Sequence, residues 1–210
     1  MTVVDFRDVV VVEHDFPLLS GCTLALEAGT VTILRGANGA GKTSALRTMA
    51  GLVPVRSGEA VVAGIDLRRG DRRSLRRRIG WLGHEGSFYD DLTVAENLHF
   101  AARAAGRPVD ELDTALERVG LTDRASVVSA QLSAGQRRRL ALAWLVVRRP
   151  ELWLLDEPHA ALDPEGRELI DDIVTDAAAA GATVVVSAHE VPSAWSHFAQ
   201  ITFAGGRVAE

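Results

Sequence analysis

The octapeptide Gly36-Ala37-Asn38-Gly39-Ala40-Gly41-Lys42-Thr43 has the form G-x-x-x-x-G-K-[ST], a spacing that lets a glycine-rich turn wrap its backbone N–H groups around phosphate oxygens. Lys42 is the only lysine in the chain; every other basic side chain is arginine. A compact ammonium at this point reaches the β- and γ-phosphates of a nucleotide, and the Thr43 hydroxyl can face Mg²⁺. Gly36, Ala37, Asn38, Gly39, Ala40, Gly41, Lys42, Thr43 and Ser44 are therefore the candidate nucleotide-binding residues. A second candidate is Leu152-Trp153-Leu154-Leu155-Asp156-Glu157, an apolar strand that ends in two acids. These carboxylates would lie beside the phosphate loop if the two strands are neighbours. Asp156 would then hold Mg²⁺, and Glu157 would polarise the water that attacks the γ-phosphate. In Gln131-Leu132-Ser133-Ala134-Gly135-Gln136, Ser133 and the N–H groups opening the next helix can bind an anion as the phosphate loop does.

The elements that position these residues alternate in type. Short strands are expected at Val9–Val12 and Thr23–Leu26, with Gly29 turning into the buried strand Val31–Leu34 that feeds the phosphate loop. Thr43–Ala50 reads as the helix leaving it, and Ala60–Ala63 as a further strand. Seven arginines crowd Arg68–Arg78; without interleaved aromatics they read as a solvated helix face, partly balanced by Asp66 and Asp71, rather than a nucleic-acid patch. From Gly86 to Val128 the pattern becomes helical and polar, with a second amphipathic stretch at Asp110–Val119, which predicts a separate helical lobe. Strands return at Leu152–Leu155 and Thr183–Ser187, separated by a helix over Asp163–Ala180. This alternation predicts an α/β fold with a mostly parallel sheet and ligand chemistry at the carboxyl ends of its strands.

The chain has 210 residues, enough for one domain or one domain with an inserted lobe, and a net charge of −5. It offers no global basic field, so direct nucleic-acid binding is not expected. The longest apolar run, Leu140–Val147, is too short to cross a bilayer, so work at a membrane would need another subunit to supply the span. The first residues lack the pattern of an export signal, which points to the cytoplasm. Cys22 is the only cysteine and reads as a small core residue.

At Leu132-Ser133-Ala134-Gly135-Gln136 the sequence resembles the nucleotide-binding subunits of ATP-binding cassette (ABC) transporters. That segment looks like their signature motif, with Ala134 where glycine is usual. Asp156-Glu157-Pro158, Ala161-Leu162-Asp163 and His189 match, in order, the hydrolytic strand end, the D-loop and the switch histidine of the family. The resemblance implies a P-loop NTPase (RecA-like) core with an antiparallel β subdomain and an inserted α-helical subdomain. Residues 1–210 would form one ATPase domain, with 1–85 and 136–210 as core and β subdomain and 86–135 as the helical lobe. It also implies Mg²⁺ with ATP, a second nucleotide-binding domain and an integral membrane permease. Glu157, His189 and Lys42 become the catalytic candidates and Asp163 the D-loop acid. Ser133, Ala134, Gly135 and Gln136 become contacts to ATP across a dimer interface. Phe16 is the candidate to stack on adenine.

Two positions depart from the family pattern. His84-Glu85 stands where a glutamine is usual, so His84, or the Glu85 carboxylate, becomes the candidate to approach Mg²⁺. His159 replaces a small or hydroxylated residue. For each histidine, local packing is the alternative to a direct role. The strings Trp81-Leu82-Gly83-His84 and Leu92-Thr93-Val94-Ala95-Glu96-Asn97-Leu98, with the signature, resemble the ATP-binding subunits of haem exporters of cytochrome c maturation. Exporter ATPases for other substrates share these strings. The segment His84–Leu98 is expected to touch the permease through Phe88 and Tyr89, unless both aromatics merely pack the lobe. Two rivals stand beside this reading: a soluble ABC-type ATPase acting on ribosomes or DNA, and a nucleotide-binding regulator with slow turnover.

Overall fold

The computed structural model describes residues 1–83, 88–160, 162–188, 195 and 197–209. The chain opens with strands β1 (Thr2–Glu13), β2 (Phe16–Glu27) and β3 (Val31–Arg35), followed by helix α1 (Lys42–Met49). Next come β4 (Ser57–Val62), β5 (Ile65–Asp66), α2 (Arg72–Arg78), β6 (Ile79–Leu82), α3 (Val94–Ala105) and α4 (Leu112–Arg118). Helix α5 (Ala134–Arg148), β7 (Leu152–Asp156), α6 (Pro164–Ala179), β8 (Thr183–Ser187), β9 (Ala199–Ala204) and β10 (Arg207–Val208) complete it.

One sheet has the order β10-β9-β3-β8-β7-β6 and is parallel except where β10 runs antiparallel to β9; the other, β2-β1-β4-β5, is antiparallel. Strands β7 and β8 carry unbroken apolar runs at Leu152–Leu155 and Val184–Val186, and β3 is interrupted only by the buried Thr32, because both faces of the parallel sheet are covered. Successive residues serve opposite faces: Ile33, Trp153, Leu155, Val184 and Val186 join the core shared with α3, α4, α5 and α6. Leu34, Leu152, Leu154 and Val185 join the core shared with α1 and the antiparallel sheet. The expected P-loop NTPase arrangement is thus the one the chain adopts.

Several local expectations change. The strand at Val9–Val12 is part of a much longer β1, whose alternation is broken by a register shift between Phe6 and Val9. Asp8 sits there at φ 50°, and a Cβ on Gly58 would lie 2.3 Å from the Asp8 carbonyl, so the bulge and the glycine are matched. Among the described residues Asp66 and Asp71 form no ion pairs with the arginines, but Asp71 balances them in part: hydrogen bonds from the Arg73 N–H and from Ser74, and then the Arg76 charge, hold its carboxyl below the usual range. Asp66 accepts from the Arg68 backbone, and Asp71 caps α2 through the N–H groups of Arg73 and Ser74. The junction expected between 135 and 136 falls in the first turn of α5.

Most consequential for the site, β3 and β7 are not neighbours. Strand β8 lies between them, in register Leu34↔Ser187 on one side and Asp156↔Ser187 on the other.

Candidate functional site

The carboxyl ends of β3, β8 and β7 converge on the phosphate loop. Gly36 follows β3 at φ 138°, and a Cβ there would lie 2.3 Å from the Phe203 carbonyl oxygen. Only glycine lets the chain leave the sheet so close to β9. Gly41, at φ 109°, is the N-cap of α1 and makes no side-chain cap, which leaves the first N–H groups of the helix directed at the loop. Lys42 is 5% exposed, and its ammonium donates to the carbonyls of Gly36 (2.8 Å) and Ala37 (3.1 Å).

The intervening strand does not separate the loop from the acids. The Thr43 hydroxyl crosses over β8 to donate to Asp156 Oδ1 at 3.0 Å. The same oxygen accepts from the Ser187 hydroxyl at 2.6 Å. Ser187 also receives the Glu157 N–H, at 2.9 Å on its hydroxyl and 3.2 Å on its carbonyl. Ser187, fully buried at the end of β8, is a site residue that the sequence motifs do not mark. Its position at the carboxyl end of a parallel strand was the available signal. Glu157 takes φ 45°, a left-handed conformation that a non-glycine residue adopts at a cost and that recurs at functional sites.

A concavity of about 400 Å³ is lined by Phe16, Pro17, Leu18, Asn38 to Ser44 and Glu157. Phe16 is 69% exposed at its rim. Gly36, Ala37 and Asp156 stand behind it, tied to its lining through Lys42 and Thr43. The Thr43 hydroxyl and the Asp156 carboxylate form an adjacent pair of oxygen donors of the kind Mg²⁺ takes.

Ser133, Ala134, Gly135 and Gln136 do not line this concavity. Ser133 is the N-cap of α5 in a reciprocal capping box: its hydroxyl accepts the Gln136 N–H (3.3 Å), and the Gln136 side chain accepts the Ser133 N–H (3.0 Å). Asp163 caps α6 by accepting the Gly166 N–H at 2.8 Å. His159 Nε2 pairs with Asp171 of α6 at 2.8 Å, and its ring lies 5.9 Å from that of Trp195. Its observed contacts are those of a residue packing the loop onto a helix. His84, Glu85, Ala161 and His189 lie outside the described residues. Phe88 packs beneath the Arg137 guanidinium, 4.9 Å from its ring centroid, and against the lobe core. Tyr89, 51% exposed, meets Phe100 edge-on at 4.9 Å. No helix among the described residues is long and apolar enough to cross a membrane.

The ABC transporter family pattern matches residues 19–160. Over 177 residues the chain is 40% identical to the cytochrome c biogenesis ATP-binding export protein CcmA of Xanthomonas campestris pv. campestris (strain 8004), across 84% of this chain and 81% of that protein. A solved ATP-binding subunit of an ABC transporter superposes with a TM-score of 0.88 at 26% identity, over 98% of this chain and 88% of that one. An ATP-bound bacterial Atm1-family ABC exporter superposes with a TM-score of 0.85 at 25% identity, over 99% of this chain and 38% of the longer exporter.

Proposed function

Since the chain belongs to the ABC transporter family as an ATP-binding and ATP-hydrolysing subunit, we propose that it drives a separate integral membrane permease, an exporter of haem for cytochrome c maturation. The similarity to an export protein of cytochrome c biogenesis, over most of both chains, carries the transport part of this reading. The subunit works on the cytoplasmic side of the cell membrane, held there by its permease. Residues 1–210 act as one ATPase domain, and the lobe over 86–135 faces the permease. Exposed Tyr89 and Phe100 offer aromatic surface for that contact.

In the hydrolytic cycle, the phosphates lie on the N–H groups of Gly36 to Ser44 with Lys42 against the β- and γ-phosphates, while Phe16 stacks on the adenine. Thr43 and Asp156 would hold Mg²⁺, which supplies charge neutralisation on the phosphate oxygens. Glu157 accepts the hydrogen bond of the attacking water and takes its proton as the bond to the γ-phosphorus forms and the bond to the ADP oxygen breaks. His189 holds the γ-phosphate and the water in line.

Two chains close around two ATP molecules, each nucleotide between the phosphate loop of one and Ser133 to Gln136 of the other. Gly135 supports this arrangement: a Cβ at that position would meet nothing within 4 Å among the described residues of its own chain. Asp163 joins the interface beside its capping role. Hydrolysis reopens the pair and resets the permease.

Tagged Glu157→Gln protein, which binds ATP without turning it over, tests the reading when incubated with Mg-ATP and detergent-solubilised membranes. Recovery of an integral membrane protein carrying haem is the expected result. Recovery of ribosomes or DNA without a membrane protein would overturn the transport role.

A further inference from the structure

Arg138 lies one turn into α5, the helix that Ser133 caps, and its guanidinium reaches the loop that carries Glu157. Four backbone carbonyls accept from it: Pro158 at 3.2 Å from Nε, Gly83 at 2.6 Å from Nη1, and Asp156 (3.3 Å) and Glu157 (3.0 Å) from Nη2. The flanking arginines do different work. Arg137 pairs with Asp90 at 2.7 Å and bonds the Ser129 carbonyl, whereas Arg139 bonds the Val119 carbonyl and pairs with Glu165. Burial pulls the Arg138 guanidinium below its ordinary range, and the Asp156 charge pushes it back. A cation held among carbonyls at the end of β7 and just beyond β7 and β6 is well placed to fix backbone there, because its planar fork matches several acceptors at once.

Three successive residues are addressed, and the middle one is Glu157. With its N–H taken by Ser187 and its carbonyl shared between Arg138 and the Ala160 N–H (3.1 Å), the backbone of Glu157 is held on both sides in its disfavoured φ 45° conformation. That constraint fixes where the Glu157 side chain leaves the loop.

We propose that Arg138 is a positioning residue for hydrolysis: its guanidinium pins the Asp156-Glu157-Pro158 backbone to the signature helix of the same chain and so aims Glu157 at the attacking water. The proposal rests on the ATPase reading above and adds a consequence for the dimer. The helix that touches the partner's ATP through Ser133 is the helix that fixes this chain's own catalytic loop, so closure over one nucleotide bears on the geometry at the other.

The test compares Arg138→Gln and Arg138→Lys in the full chain by steady-state ATPase kinetics, equilibrium ATP binding and thermal unfolding. Misplacing a catalytic group by about 1 Å costs about a hundredfold in rate. Arg138→Gln is therefore expected to lower kcat about a hundredfold while the Kd for Mg-ATP stays within about threefold. Arg138→Lys keeps the charge but not the fork, and should recover less than a tenth of the native kcat. Retention of kcat within about threefold in Arg138→Gln overturns the proposal, as does a loss of ATP affinity in step with kcat. Native turnover in Arg138→Lys also overturns it, and this second variant decides the matter if Arg138→Gln fails to fold.

Mixed dimers separate the two routes by which Arg138 could act. With Arg138→Gln in one chain and Glu157→Gln in the other, the only intact Glu157 sits on the chain lacking Arg138, and turnover should be low. With both substitutions in one chain, the intact Glu157 keeps its own Arg138, and turnover should match a native and Glu157→Gln pair. The reverse pattern would assign Arg138 to the partner's nucleotide and overturn the proposal. Failure of Glu157→Gln chains to pair in ATP would instead sink the dimer reading, and the kcat and Kd comparison would still decide the role of Arg138.

Discussion

At the scale of single residues, the site depends on how few atoms carry several duties. Asp156 Oδ1 accepts from both Thr43 and Ser187, and Ser187 in turn receives Glu157. Ser187→Ala removes one donor from Asp156 and one anchor from Glu157, yet leaves the Ser187 carbonyl as an acceptor for the Glu157 N–H. We expect kcat to fall about tenfold and stability to drop by about 1–2 kcal/mol; kinetics and urea unfolding check the two separately. The sequence made Lys42, Thr43, Asp156 and Glu157 visible because their motifs combine residue type with fixed spacing. Ser187 ends an ordinary apolar run and has no motif, so its role emerges only from the pairing of β8 with β7.

Helix ends and loops supply the next level of control. The segment Leu92-Thr93-Val94-Ala95-Glu96-Asn97-Leu98 contains a capping box: Thr93 accepts the Glu96 N–H, and the Glu96 side chain accepts the Thr93 N–H. Asn97, fully buried, accepts the Tyr89 N–H at 2.8 Å and donates to the carbonyls of Tyr89, Leu92 and Thr93 and to the Ser129 hydroxyl. It ties the turn bearing Tyr89 to the stretch leading into the signature. Asn97→Ala removes the acceptor of the Tyr89 N–H and the amide donor to the Ser129 hydroxyl, while the carbonyls of Tyr89, Leu92 and Thr93 keep backbone donors; it should cost about 2 kcal/mol in urea unfolding, a loss larger than the roughly 1 kcal/mol expected for removing the Thr93 cap. Equal losses for Asn97→Ala and Thr93→Ala would show that the amide network adds nothing beyond the cap. The capping box is legible in sequence as T-x-x-E, whereas the reach of Asn97 to Ser129 is not, since 32 positions separate them.

Across the whole molecule, two cores on opposite faces of one sheet bind the antiparallel sheet to one side and the helical lobe to the other. Cys22 reports on the first. Burial pushes its thiol up to about 11 from an ordinary 9.0, so the folded state favours the protonated form. The resulting stabilisation is complete below pH 9 and is lost as pH rises through about 11, a swing on the order of 2 kcal/mol. Unfolding midpoints should show this loss in the native protein and lack it in Cys22→Ala, and a thiol reagent at about pH 8, below the ordinary thiol range, should modify Cys22 only after unfolding. Sequence alone determined the G-x-x-x-x-G-K-[ST] loop, the two acids at the end of β7, the signature-like segment and the α/β alternation, because each is written in local spacing or periodicity. Tertiary structure decided that β8 lies between β3 and β7, that Ser187 joins Asp156 to Glu157, and that Arg138 reaches the Asp156-Glu157-Pro158 backbone. Strand order and side-chain reach depend on packing between segments far apart in the chain, and local residue patterns do not encode those distances.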